Sequence, residues 1–93
     1  MESKVMKTKE GLILKKVSDE WVVVPVNADK VSFNGMLTLN ETSAFLFANL
    51  EKGATEDQLV SAMTNRYTVD EKTARSDIRE FLDGLRKRGL LDE

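Results

Sequence analysis

The chain has 93 residues, 14 Lys and Arg against 16 Asp and Glu for a net charge of −2, and neither Cys nor His. A length like this sets one domain, which buries roughly 60–65% of its unfolded surface and has little interior to spare for a chemical site. The missing residue types remove disulfides, thiolate nucleophiles and Cys/His ligation of zinc or iron–sulfur clusters, and with them the commonest general base at neutral pH.

The slightly acidic balance is also wrong for a protein whose main work is neutralising phosphates, so no nucleic acid is expected as partner. With 41% hydrophobic and 32% charged residues the chain is composed like an ordinary folded globule, not a disordered one. No apolar run approaches the roughly 18 residues of a membrane span. The polar stretch Met1–Lys9 lacks the apolar centre of a signal peptide, so the expected compartment is the cytoplasm. These features predict a protein that is not an enzyme and carries no cofactor.

Residues 1–10 are charged and without period, and read as a flexible tail before a domain at 11–93. Gly11 opens Leu12-Ile13-Leu14-Lys15-Lys16-Val17, a first strand. Ser18-Asp19-Glu20 is a polar turn, and Trp21-Val22-Val23-Val24 is a second strand, β-branched and aromatic, with Pro25 at its end or on an edge. The two form a hairpin. Asn27-Ala28-Asp29-Lys30 is a loop, and a third strand runs from Val31 or Phe33 through Thr38, with Gly35 marking a bulge or a close backbone approach.

Asn34 to Leu50 then joins sheet to helices without a linker. Asn40 is placed to cap a helix whose apolar stripe is Ala44, Leu46, Phe47 and Leu50, and Gly53 stops it. Thr55-Glu56-Asp57-Gln58 is a capping-box pattern opening a second helix along Leu59, Val60, Met63 and Tyr67. Asp70 caps a third, with Ala74, Ile78, Phe81, Leu82 and Leu85 at three- and four-residue steps and Arg86-Lys87-Arg88 in its last turn. Gly89 ends it, and Leu90-Leu91 folds back onto the core. The predicted fold class is α+β: a three-stranded antiparallel sheet (hairpin plus third strand) followed by a three-helix bundle, laid out like a winged helix-turn-helix. The aromatic residues Phe33, Phe45, Phe47, Phe81, Trp21 and Tyr67 are assigned to core duty ahead of base stacking.

Laid out in this order, the chain resembles the PqqD-like family, the small domains that act as recognition elements for ribosomally made precursor peptides. The resemblance spans about Gly11 to Leu91. It rests on Leu39-Asn40-Glu41-Thr42 running into Phe45-Leu46-Phe47, on Gly53-Ala54-Thr55-Glu56-Asp57-Gln58-Leu59-Val60, on Tyr67-Thr68-Val69-Asp70, on Ala74-Arg75-Ser76-Asp77 with Phe81-Leu82, and on Gly89-Leu90-Leu91. It implies binding of a leader segment, added as a strand beside the third strand and lying against the third helix, and delivery to a radical-SAM or other peptide-modifying enzyme. The stretch between Pro25 and Leu39 is longer than in members serving pyrroloquinoline quinone synthesis, so the family role is implied and that pathway is not.

The residues suit such a role. Asn34-Gly35-Met36-Leu37-Thr38 carries neither charge nor Pro, the usual guards of an open sheet edge, and an extended peptide can pair with such an edge. Met36 suits an adaptable groove. On the third helix, Arg75 and Arg79 flank Ile78 and Leu82, so an acidic, hydrophobic leader could bury apolar groups on Ile78 and Leu82 and pair its carboxylates with the arginines. The bland alternative is a solvated, salt-bridged face. Two other functions share the layout. A DNA-binding regulator would place the third helix in the major groove, where Asp70, Glu71, Asp77, Glu80 and Asp83 oppose phosphate. An adaptor would pair the same edge with a second copy to form a homodimer.

Overall fold

A hairpin of β2 (Leu12–Val17) and β3 (Glu20–Pro25) opens the main sheet of the computed structural model, which describes residues 4–26 and 36–93. Its two-residue turn, Ser18-Asp19, puts the positive φ (56°) on Ser18, where a tight hairpin turn needs it. The turn fixes the register, Val17 opposite Glu20 through Leu12 opposite Pro25. In a two-residue hairpin the pair next to the turn exchanges both hydrogen bonds, and bonded pairs then alternate with non-bonded ones. Pro25 therefore falls at a non-bonded position, where its missing N–H removes nothing from the ladder. The next residue, Val26, donates to the Gly11 carbonyl at 2.7 Å.

The same alternation turns the backbone groups of Trp21 and Val23 towards β4 (Leu37–Leu39), which pairs Trp21 with Leu39, Val22 with Thr38 and Val23 with Leu37. The strand order is β2-β3-β4. The predicted third strand is thus seen at 37–39; residues 27–35, including Asn34 and Gly35, lie outside the described residues.

β4 runs straight into α1 (Glu41–Glu51), because the Asn40 side chain accepts from the Ser43 N–H at 2.7 Å and satisfies the first turn. α2 (Glu56–Arg66) opens with a complete capping box: Gln58 N–H to the Thr55 hydroxyl at 3.1 Å and Thr55 N–H to the Gln58 side chain at 2.9 Å. α3 (Glu71–Lys87) is capped by Asp70, which accepts from Thr73 N–H at 2.7 Å. It ends at Gly89, whose φ of 70° lets Leu90 N–H reach back to the Leu85 carbonyl at 2.9 Å.

α1 lies across all three strands, and α2 and α3 pack on each other behind it. Phe47, Leu46, Leu50, Leu59, Ile78, Leu82, Leu85 and Leu90 form the fully buried centre, with Val23 and Leu39 from the sheet. Trp21, Phe45, Tyr67 and Phe81 pack against it, whereas Phe33 lies outside the described residues. The architecture is the expected α+β arrangement of a three-stranded antiparallel sheet and three helices.

The N-terminal segment departs from expectation. Residues 6–8 are built into the fold and are no loose tail. β1 (Lys7–Thr8) pairs antiparallel with β5 (Leu91–Asp92) in a second, two-stranded sheet. Before it, Met6 and Ala54 exchange backbone bonds of 2.8 and 2.9 Å. Met6 is 4% exposed and Thr8 is buried, while Lys7 points to solvent. Period-two burial over so few residues, among lysines, leaves almost no sequence pattern to read.

Candidate functional site

The free edge of the main sheet belongs to β4, which among the described residues has β3 alone as a strand neighbour. Trp21 and Val23 bond to Leu39 and Leu37, so Thr38 sits at the non-bonded position and its N–H and C=O point away from β3, into the open edge. Leu39 is buried and Leu37 half-buried beneath the sheet, Thr38 is exposed, and Met36 just before the strand is 62% exposed. No charge guards this edge, whereas the opposite edge strand, β2, carries Lys15 and Lys16.

The helix residues expected opposite that edge are placed otherwise. Ile78 and Leu82 are 0% and 1% exposed, because they are the stripe by which α3 joins the core. They offer no surface to a ligand. Arg75 and Arg79 are engaged by α2: Arg79 grips Glu56 with two bonds of 3.0 and 3.1 Å, Arg75 donates to the same carboxylate, and Arg75 reaches Asp57 at 3.0 Å. Arg86, about two turns on from Arg79, holds Glu93 at 2.7 and 3.1 Å. The arginine flank of α3 therefore faces α2 and the C-terminus. The salt-bridged alternative describes it, with partners from α2 and Glu93.

Glu56 caps the interaction electrostatically. The Arg79 hydrogen bond, joined by Arg75, holds its carboxyl below the ordinary range in spite of partial burial. Arg86 does the same for Glu93 and the helix N–H of Thr73 for Asp70. A depressed folded-state value means the carboxylates contribute stability above the unfolded-state range, and that it is lost as pH falls through the folded values. Urea midpoints should therefore drop on going from neutral pH to below about pH 4. Glu56→Gln should lower the neutral midpoint and shrink this pH-dependent difference. An unchanged difference would mean the Glu56 cluster adds nothing to the acid response.

Two clefts flank the first turns of α1. The larger, about 710 Å³, opens under the sheet between Leu14, Trp21 and Leu39 on one side and Phe45 and Tyr67 on the other. Cations cover its aromatic walls: Lys16 lies 5.7 Å from the Trp21 ring centre and Arg66 5.4 Å from that of Phe45. The smaller, about 570 Å³, starts at Asn40, where β4 ends, and runs over Ser43 and Leu46 to Asp77, Glu80 and Phe81 of α3. Its lining comes from the three helices and their connections, and it adjoins the sheet at Asn40, the residue that follows β4. This second flank of α3 was missed in the sequence. Its signal was present: Asp77, Phe81, Gly84 and Arg88 recur at steps of four, three and four, one stripe of a helix surface. Arg88 donates to the Gly84 carbonyl at 3.1 Å along it.

Among the described residues no group of three or more acidic side chains is placed to hold a metal ion, and no helix is long and apolar enough to cross a membrane.

The fold has close counterparts among solved structures. TbiB1 in complex with the TbiA(beta) leader peptide superposes with a TM-score of 0.75 at 24% identity, over 92% of this chain and 94% of that one. Lasso peptide synthetase B1 complexed with the leader peptide does so with a TM-score of 0.74 at 17% identity, over 95% of this chain and 98% of that one. At these identities the likeness concerns the fold. No curated protein sequence matches the chain. A family model does: that of coenzyme PQQ synthesis protein D (PqqD) matches residues 20–91, from the start of β3 to the first residue of β5. A match over so much of the length, joined to the sheet-to-helix architecture, makes the chain a member of the PqqD family.

Proposed function

We propose that the chain is a peptide-binding module that takes up the leader segment of a ribosomally made precursor peptide by strand addition at β4 and presents it to a modifying enzyme, of the radical-SAM type. The observation that carries this reading is the uncharged edge at Met36–Thr38, with the Thr38 donor and acceptor turned outward; a cleft that can receive side chains begins two residues on, at Asn40. Membership of the PqqD family and the likeness to two folds solved with leader peptides support it. The chain itself does no chemistry, in keeping with a sequence that has neither Cys nor His. The binding residues assigned are Met36, Leu37 and Thr38 on the strand, with the Asp77 and Phe81 flank of α3 in place of Arg75, Ile78, Arg79 and Leu82. A DNA-reading role has little support: Arg75, Arg79 and Arg86 already answer carboxylates, and the charged residues lining the cleft on the other flank are Asp77 and Glu80.

The test is calorimetric titration of the full chain with the precursor peptide encoded beside its gene, and with the same peptide lacking its leader. The expected result is one-to-one binding that the leaderless peptide does not show. Equal binding of the two peptides, or none of the intact one, would overturn the reading. Sizing the complex identifies the competing occupant of the edge, a second copy of the chain.

A further inference from the structure

We infer that the peptide taken up at this edge is basic at the point of contact: an apolar side chain on Phe81, with Lys or Arg beside it against Asp77 and Glu80. This rests on the strand-addition reading and adds the chemical class of the ligand.

The sign of the cleft follows from how α3 divides its charges. Its Arg75, Arg79 and Arg86 lie on the flank turned to α2 and the C-terminus, where Glu56, Asp57 and Glu93 hold them. The flank turned to the cleft brings Asp77 and Glu80, and no Lys or Arg lines that cleft. Asp83, the next carboxylate along, is already paired with Lys87 at 3.2 Å. Asp77 and Glu80 have no ion pair or side-chain hydrogen bond among the described residues. Two exposed carboxylates at i and i+3 repel each other, and a cation between them removes that repulsion. Leu46, Val69 and Phe81 give the same cleft an apolar floor. A carboxylate-rich peptide would meet two like charges there and no Lys or Arg among the lining residues.

The test is selection of short randomised peptides on the full chain, followed by amide-shift mapping on isotope-labelled protein. Selected sequences should be enriched in Lys or Arg next to an aliphatic or aromatic residue, and should shift Asp77, Glu80 and Phe81 together with Leu37–Leu39. The double variant Asp77→Lys, Glu80→Lys should weaken these peptides about tenfold or more. The variant Asp19→Lys, Glu20→Lys makes the same change of net charge at the hairpin turn and the first residue of β3, and should leave them within about twofold. Neutral or acidic peptides in the selection, or equal weakening by the two double variants, would overturn the inference while leaving strand addition in place. Peptides that shift Leu37–Leu39 alone would do the same. A selection with no enrichment at all, or with no shift at Leu37–Leu39, counts against strand addition itself.

Discussion

Thr38→Pro is expected to weaken leader binding by about thirtyfold or more, equivalent to roughly 2 kcal/mol, with the fold left standing. Thr38 gives no bond to β3, so a ring on its nitrogen removes nothing from the sheet, and proline is tolerated at outward-facing edge positions. Leu37 before it is already extended, the conformation that a following proline enforces. What is lost is a donor to the incoming strand, and the ring also holds that strand off its neighbours. Thr38→Val, which keeps the backbone, should bind as the natural chain does. Calorimetric affinities set beside thermal midpoints from circular dichroism check both halves. Full binding by the proline variant would place the peptide somewhere other than this edge.

Removal of residues 1–8 should cost about 3 kcal/mol and lower the thermal midpoint by roughly 12–24 °C. The segment buries Met6 completely, and its strand covers Leu91 and completes the second sheet. Arg86 lies 3.8 Å from the Met6 sulfur while it holds Glu93, so the truncation also loosens the end of α3. Met6→Ala should produce the larger part of the loss, since deleting a buried Met side chain typically costs about 2 kcal/mol or more. A shift of only a few degrees on truncation would return these residues to the status of a loose tail.

How much of this was legible in the sequence depended on the range of the interaction. Asn40, Thr55 and Asp70 were readable as caps because each satisfies an N–H three residues away, and Gly53 and Gly89 as stops for equally local reasons. The hairpin was readable from its β-branched run and the position of Pro25. The orientation of α3 was not. Helical spacing identified the stripe Ala74, Ile78, Leu82 and Leu85 as apolar, but whether that stripe is core or groove is decided by α1 and α2. The partner of the arginine flank was not legible for a similar reason: Glu56 is 19 residues before Arg75 and 23 before Arg79. The two-residue strands β1 and β5 stand 83 positions apart where Thr8 meets Leu91, and so short a pattern cannot announce so distant a pairing.

A strand is chiral, so the side of the sheet a residue faces also decides which way its peptide groups turn. Burying Leu37 and Leu39 commits their polar atoms to β3 and leaves those of Thr38, which looks away from the helices, for a visitor. A guest residue bonded opposite Thr38 must then display its own side chain on the outer surface, and the residues just before and after it point inward to the helical layer. Recognition should consequently be written in the guest as two informative letters separated by one free one.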